Sequence, residues 1–178
     1  MIFHRLGLIN KDQRGFTLIE VLVAVAITGL ITGSITMVIS QVLTGNVRTS
    51  NHMTAVRQVQ NAGYWISRDA QMAQTVDTGE FSGFPLTLTW TEYGVDGDEH
   101  QVVYTLADNK LQREHYTNRA TNPTPDATTF VADHIDTANT SCALDGSKLT
   151  LTVTASIGGF KPASETRTYE VVPRPDSQ

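Results

Sequence analysis

An apolar run that contains one carboxylate, Glu20, constrains this chain more than any other feature. The run begins at Phe16 and continues to about Leu43, and no Asp, Glu, Lys or Arg occurs between Val21 and Gln41. About 20 apolar residues are enough to cross the hydrocarbon core of a bilayer. A charged side chain inside such a segment costs roughly 2.5–3.5 kcal/mol on insertion scales, so it usually has a partner or a function. The run predicts a membrane-spanning helix with a functional acid near its start.

The charges that precede the run predict its orientation. Residues 1–15 carry three basic side chains and one acidic side chain. Basic residues in short flanking segments are retained on the cytoplasmic side of a membrane. We therefore expect the N-terminus in the cytoplasm and everything after Leu43 on the outer side.

The residues around the start of the run form a recognisable motif. Gly15-Phe16-Thr17-Leu18-Ile19-Glu20-Val21-Leu22-Val23-Ala24 resembles the cleavage and methylation signature of type IV prepilins and of the pseudopilins of type II secretion. The resemblance implies that a prepilin peptidase cuts after Gly15 and that the new amine of Phe16 is methylated. It implies that Glu20 is the acidic residue used in assembly. It also implies storage in the bacterial cytoplasmic (inner) membrane, followed by transfer to a pilus or pseudopilus.

The chemistry of a carboxylate in lipid agrees with that role for Glu20. When subunits pack into a filament, the Phe16 ammonium of one chain can neutralise the Glu20 carboxylate of its neighbour. Such pairs fix the register of helices more than they add stability. The alternative is a tolerated charge in the first turn of a helix, where the helix dipole favours anions.

Two other interpretations of the N-terminus stay open at this point. Ala24-Val25-Ala26 has the A-x-A form of an ordinary secretory cleavage site. Against it, Glu20 would lie inside the apolar core of the signal peptide, and the apolar run continues well beyond the cut. The other interpretation is a plain, uncleaved membrane anchor.

Composition limits the classes of partner and of chemistry. The 178 residues have a formal net charge of −5, and without residues 1–15 they retain 10 Lys+Arg and 17 Asp+Glu. An acidic surface repels phosphates, so we expect no direct nucleic-acid binding. Cys142 is the sole cysteine, so no intramolecular disulfide can form. Many major pilins close a loop with two cysteines, and this departure favours a minor subunit or a pseudopilin.

A second helical pattern follows the apolar run. The positions Val56, Val59, Gly63, Ile66, Ala70 and Ala73 are spaced as one face of a helix, widened by Trp65 and Met72. Arg57, Arg68, Asp69 and Gln71 fall outside this stripe. The pattern predicts a membrane/assembly helix over 16–43 that continues as an amphipathic helix over 44–76, after a leader peptide at 1–15.

From Pro85 the apolar period changes to two, which is typical of strands. Alternation or β-branched residues mark six candidate strands, at 86–90, 102–106, 111–116, 129–135, 149–153 and 167–172. Asn109-Lys110 forms a predicted hairpin turn, and 117–127 and 139–146 are predicted loops. One long helix followed by short strands predicts an α+β fold with an antiparallel β-sheet domain over 77–178.

The order of these elements carries a second resemblance. Val103-Tyr104-Thr105-Leu106 followed by Leu111-Gln112-Arg113 is similar to a hairpin of W-type minor pilins and J-class minor pseudopilins. Arg68-Asp69 to Ala73 and the closing Val-Val-Pro-Arg at 171–174 agree with it. The resemblance implies a subunit of a small tip complex that primes filament assembly.

The predicted sheet domain carries no motif of a known catalytic class. Gly-x-Ser-x-Gly, phosphate-loop and His-Glu-x-x-His patterns do not occur in the sequence, and we expect neither an enzyme nor a cofactor. Asp96, Asp98 and Glu99 surround Gly97, and such oxygens can gather on calcium. The run is too short for an EF-hand loop, and a turn between strands explains it, so we predict no metal.

These observations predict a minor pilin or pseudopilin: a non-enzymatic filament subunit whose partners are the prepilin peptidase, sibling subunits and membrane lipid. The alternative is a membrane-tethered binding or adhesion module that forms no filament. The sequence leaves open whether the filament would serve secretion, twitching, adhesion or DNA uptake.

Overall fold

A computed structural model describes residues 15–92 and 97–174. The chain divides into two compact units, one ending at Leu43 and one beginning at Thr44. A single α-helix, α1 (Leu18–Met72), contributes residues to both units. In the first unit every described residue is exposed. This part of α1 is long and apolar enough to cross a membrane.

The second unit contains the C-terminal part of α1 and eight strands. The strands are β1 (Thr75–Gly79), β2 (Gly83–Thr91), β3 (Glu99–Ala107), β4 (Lys110–Thr117), β5 (Ala127–Ala132), β6 (Ser141–Asp145), β7 (Lys148–Ile157) and β8 (Ala163–Val171). They form a five-stranded sheet in the order β1-β2-β3-β4-β5 and a three-stranded sheet in the order β6-β7-β8. Every pairing is antiparallel. The α+β class with an antiparallel arrangement is confirmed.

The core of the second unit lies between α1 and the inner faces of both sheets. The helix contributes small and branched side chains, whereas alternate strand positions contribute larger ones. The fully or almost fully buried members include Ala55, Val59, Ala62, Ile66, Ala70, Leu86, Leu88, Val102, Tyr104, Leu149, Leu151, Val153 and Ala155. The helical stripe predicted from sequence is therefore a packing face. Met72 does not belong to it, because that side chain is exposed.

The helix is shorter than the predicted range that ends at residue 76. Its last backbone bonds run from the Ala73 amide to the carbonyls of Asp69 and Ala70. The amide of Gln74 instead donates to the Thr89 carbonyl of β2, which starts the pairing of β1. Thr75 and Val76 are β-branched, and such residues pack better in a strand than in a helix.

Two strands were missing from the sequence prediction. β1 was assigned to the end of the helix and the turn after it, and β6 lies within the predicted loop 139–146. Both are five residues long, and their apolar alternation is weak. Both segments are strands because they hydrogen-bond to a neighbouring strand. β6, for example, pairs residue by residue with β7, from Ser141 opposite Thr152 to Asp145 opposite Lys148.

The β3–β4 hairpin is confirmed, with its turn one residue earlier than predicted. Ala107 pairs with Lys110, so the loop consists of Asp108 and Asn109. Both loop residues have positive φ, 51° and 59°. Two successive left-handed residues define the turn that matches the twist of an antiparallel hairpin, and Asn and Asp tolerate this conformation. The hairpin brings Tyr104 and Arg113 into register as direct partners.

Candidate functional site

The start of α1 is fixed by Thr17, immediately before the first helical residue. The Thr17 side-chain oxygen accepts a hydrogen bond from the Glu20 amide at 3.3 Å, and the Thr17 carbonyl accepts from the same amide at 3.0 Å. Thr followed three residues later by Glu is the pattern of a capping box. Glu20 thus lies in the first turn, where the helix dipole favours its charge. Phe16 lies two residues before the first helical residue and four positions before Glu20.

One face of the apolar segment forms a shallow groove that contains both Phe16 and Glu20. Apart from these two, its lining is small, β-branched or hydroxyl-bearing: Val21, Ala24, Val25, Thr28, Gly29, Thr32, Gly33 and Thr36. The hydroxyls of Thr28, Thr32 and Thr36 each donate to the carbonyl four residues earlier, at 2.8–2.9 Å. These polar groups are therefore satisfied within the helix.

Gly29 and Gly33 form a Gly-x-x-x-Gly pair in this groove, a feature that the sequence interpretation missed. A Cβ built on either glycine would meet nothing within 4 Å. The fold of the single chain thus gives no reason for their small size. Small residues at this spacing let the backbones of two membrane helices approach closely. The pattern was readable in the sequence as soon as the apolar run was recognised as a membrane segment.

A family model agrees with the N-terminal motif. The model of the prokaryotic N-terminal methylation motif matches residues 10–36. The N-terminal segment is type IV prepilin-like. No curated protein and no solved structure matches the chain. Together with the apolar helix, the prepilin-like segment supports anchoring in the inner membrane and implies processing by a prepilin peptidase and assembly with other pilins.

The second unit contains a buried ionic cluster that ties α1 to the β3–β4 hairpin. Oδ2 of Asp69 accepts hydrogen bonds from the Tyr104 hydroxyl and from Nε of Arg113, both at 2.6 Å. Asp69 is 1% exposed. Sequence analysis placed Asp69 outside the buried face, and that assignment was wrong. A carboxylate such as Asp69 can be buried when a cation and a hydrogen-bond donor from another element pair with it.

Burial and charge in this cluster shift the pKa values of Tyr104 and Arg113. Burial and the neighbouring Asp69 carboxylate raise the pKa of Tyr104, so its phenol stays protonated and donates. Burial alone would lower the pKa of Arg113, but the hydrogen bond and charge of Asp69 outweigh it and the pKa rises. The Arg113 guanidinium also lies 5.2 Å from the ring centre of Trp65, within the range of a cation–π contact.

The cluster unites residues from the two motif fragments that resemble W-type and J-class subunits. Asp69 comes from the helix fragment, and Tyr104 and Arg113 come from the hairpin fragment. The three residues meet although 35 to 44 positions separate Asp69 from its partners. The cluster is a structural link, since it is enclosed and its donors and acceptors are satisfied.

The loop around Gly97 was considered for calcium binding from sequence, and no metal was predicted there. Asp96 lies outside them. The Asp98 carboxylate accepts a hydrogen bond from the Asn118 side chain at 2.7 Å, and the Glu99 amide donates to the Asn118 side-chain oxygen at 3.0 Å. Within 15–92 and 97–174, no group of three or more His, Cys, Asp or Glu side chains is arranged to hold a metal ion.

A stack of Trp90, His100 and His115 on the five-stranded sheet was not anticipated from sequence. The two imidazole rings lie 5.3 Å apart and nearly parallel, and Trp90 stacks on His100 at 5.5 Å. Nδ1 of His100 is 3.3 Å from Nε2 of His115. Burial, followed by the charges of Arg113 and His100, lowers the pKa of His115 despite the opposing effect of Asp126 and Asp69. Strand register explains the stack, and it became visible only once pairing was known.

Proposed function

We propose that this chain is a minor pilin or pseudopilin, a non-enzymatic subunit of a type IV pilus or of a type II secretion pseudopilus. The observation that carries the proposal is the prepilin motif at 10–36 leading directly into a helix whose apolar segment is exposed throughout. A membrane covers this segment in the stored subunit. Neighbouring helices cover it after assembly.

Processing and orientation follow from the same segment. The prepilin peptidase cuts after Gly15 on the cytoplasmic side, and the Phe16 amine is methylated. The basic residues of 1–15 keep that end inside, so the second unit lies in the periplasm or outside the cell.

Assembly then depends on charge pairing between Phe16 and Glu20 of adjacent subunits. Either charge alone is costly in an apolar environment, whereas the pair neutralises itself and favours one stagger between helices. The small-residue groove supports this arrangement, because it contains both groups and offers close approach beside them.

The sheet domain selects the neighbouring subunits, and a position in a tip or priming complex is the proposal for it. The support is the W-type and J-class motif, whose residues Asp69, Tyr104 and Arg113 form one buried cluster. A subunit in a tip complex still packs on the subunit below it. Glu20 is therefore still required for pairing.

The experiment that tests this function separates the charge of Glu20 from its place in the helix cap. Glu20→Gln keeps the capping-box pattern but removes the charge, whereas Thr17→Ala removes the capping oxygen and keeps the charge. We expect both variants to be cleaved and membrane-resident. Crosslinks from an introduced Ile35→Cys to sibling subunits should be lost in Glu20→Gln and kept in Thr17→Ala.

Processing is monitored in parallel by the mass of each variant. Normal crosslinking by Glu20→Gln would contradict the pairing mechanism and leave Glu20 as a capping residue. Absence of any crosslink to sibling subunits in the unchanged protein would favour the alternative, a membrane-tethered binding module without a filament.

A further inference from the structure

Two histidines on neighbouring strands of the five-stranded sheet face each other. Nδ1 of His100 on β3 lies 3.3 Å from Nε2 of His115 on β4. The two side chains are 18% and 24% exposed, so they are mostly enclosed but still reachable by small ions. Strand register holds both in place, since His100 pairs with Thr117 and His115 pairs with Val102. The pair is therefore a fixed feature of the sheet.

The separation of the two facing nitrogens matches that of two ligands on one metal ion. Histidine nitrogens lie about 2.0–2.1 Å from zinc, and a tetrahedral angle then places two of them about 3.3 Å apart. The hydrogen bond between His100 and His115 requires one of the facing nitrogens to carry a hydrogen. A metal ion can take the place of that hydrogen when both facing nitrogens are unprotonated, after a small rotation of the rings.

Each histidine also has a carboxylate near its outer ring nitrogen. Oε2 of Glu92 lies 3.4 Å from Nε2 of His100, which allows a weak hydrogen bond. Oδ2 of Asp126 lies 3.9 Å from Nδ1 of His115, close enough for an electrostatic contact. Histidines that bind metals almost always direct their other N–H to a carboxylate, a carbonyl or water, which fixes the tautomer. The two carboxylates thus favour the tautomers that leave both facing nitrogens free.

The charges around the pair are compatible with an added cation. The pKa of His115 lies below its ordinary value, mainly because of burial, so this imidazole is neutral near pH 7 and can act as a ligand. Arg113, whose charge opposes a further cation here, is already paired with the buried Asp69. Glu92 and Asp126 have no Lys or Arg partner within 15–92 and 97–174. Their negative charges are therefore available to offset that of a bound ion.

We propose that His100 and His115 together bind one divalent transition-metal ion, of the class that includes Zn²⁺ and Cu²⁺. Imidazole suits these ions, whereas Mg²⁺ and Ca²⁺ prefer oxygen ligands. The site uses two histidines and not a cluster of three or more ionisable ligands. Water completes the coordination, together with the hydroxyl of Thr117, which lies 3.4 Å from Nδ1 of His100. A bound ion links β3 to β4, independently of the proposed filament function.

The test measures Zn²⁺ binding to the full-length protein in detergent micelles by isothermal titration calorimetry. The chain has five histidines, and the three outside the proposed site are replaced by Gln in the test protein: His4, His52 and His134. No histidine tag is present. Burial raises the pKa of the Cys142 thiol to about 12, so the sole cysteine stays protonated near neutral pH. The NMR signals of the two remaining imidazoles report binding at the site itself.

We expect one Zn²⁺ per chain and simultaneous shifts of both imidazole signals. His100→Gln or His115→Gln alone should weaken binding at least tenfold, because a single imidazole remains. Glu92→Gln combined with Asp126→Asn should weaken it about tenfold, as the loss of outer partners of metal ligands typically does. This double variant keeps both histidines, so it tests the site even where a histidine variant fails to fold. Glu170→Gln removes an exposed carboxylate from β8 and is the matched control, with unchanged affinity.

Copper provides a second measurement at the same site. Cu²⁺ should compete with Zn²⁺ and quench Trp90, whose ring centre lies 5.5 Å from that of His100. Trp90→Phe should remove that share of the quenching.

Each other outcome overturns the site or its assignment. Unchanged Zn²⁺ affinity in both single histidine variants, or binding without shifts of the imidazole signals, would overturn the site. One ion per two chains would assign the ion to a contact between copies and overturn a site within one chain. Equal affinity for Mg²⁺ would overturn the assignment to a transition metal. All these measurements use the unassembled subunit, so they neither support nor contradict the filament function.

Discussion

The two ends of α1 have the same backbone and opposite surroundings. Up to Leu43 every described side chain is exposed, whereas Ala55, Val59, Ile66 and Ala70 are fully buried by the sheets. The first part matches the environment of a bilayer or of other helices, and the second part matches the interior of its own domain. A single helix can thus present one region whose partners lie outside the chain and another whose partners lie within it.

Glycines show the same difference. Gly29 and Gly33 have open space where a side chain would be, but a Cβ on Gly63 would overlap the Tyr169 ring. The Tyr169 hydroxyl donates to the Val59 carbonyl at 3.1 Å, so the ring is tied to the helix it touches. The size of Gly63 is explained by the monomer. No contact within the described residues explains the size of Gly29 and Gly33.

The largest expected difference in the free energy of unfolding is between the two carboxylates of α1, Asp69 and Glu20. Asp69→Ala leaves Arg113 and Tyr104 without their shared acceptor, and removing one partner of a buried pair typically destabilises by about 3–5 kcal/mol. Glu20→Ala removes an exposed carboxylate and should leave the domain's stability unchanged. The measurement is denaturant unfolding of the full-length protein in detergent micelles, followed by Trp65 and Trp90 fluorescence. Equal stability of the two variants would refute the internal role of Asp69.

Replacing glycines in the two parts of α1 should give a smaller difference in the free energy of unfolding. Gly63→Leu forces Tyr169 away from α1 and should lower the free energy of unfolding by about 1–3 kcal/mol, as overpacking generally does. The matched change Gly33→Leu should leave unfolding unaffected and reduce helix crosslinking between subunits. A loss of domain stability in Gly33→Leu would show that the membrane segment has a partner within the chain.

The His115 environment predicts a pH dependence confined to the second unit. Its pKa is lowered in the folded state from the ordinary value of 6.5, so the unfolded chain binds more protons just below that pH. The stability associated with neutral His115 is therefore present above about pH 6.5 and is lost as the pH falls through the folded pKa. The melting temperature should fall on acidification, and the fall should be smaller in His115→Gln. The exposed His52→Gln is the control and should keep the pH dependence of the unchanged protein.

The smallest effect is expected at the surface pair of Lys148 and Glu170. Nζ of Lys148 lies 3.0 Å from the carboxylate, but both side chains are about half exposed. Exposed pairs contribute about 0–1 kcal/mol. Lys148→Gln should therefore leave the denaturation midpoint almost unchanged, and a shift comparable to that of Asp69→Ala would contradict the contrast drawn between buried and exposed charge.

Sequence patterns predicted the regions in which local chemistry is decisive. The apolar run carries its own signal in its composition. The turn between β3 and β4, predicted at Asn109-Lys110 and found at Asp108 and Asn109, carries its signal within a few residues. The α+β class followed from the change of apolar period. β1 and β6 were not predicted, since these five-residue strands are defined by their partners and not by their own residues.

The candidate sites show the same limit. Glu20 was assigned from its motif, and its role in assembly stays a prediction. Asp69 was placed on the wrong face because helical spacing carries no information about a distant arginine and tyrosine. The His100–His115 stack depends on the register between β3 and β4. The side-chain amide of Asn51 donates to the carbonyls of Phe160 and Lys161, which are 109 and 110 positions away. Contacts of that range need the folded chain.

The most direct test of the account is the N-terminal mass of the protein taken from the membranes of its own cells. Cleavage after Gly15 predicts a chain that begins with N-methylated Phe16, and Gly15→Leu should retain the full-length form in the membrane. A chain that begins at Met1, or one that begins at Ile27 after Ala24-Val25-Ala26, would contradict the prepilin assignment on which the proposed filament function rests.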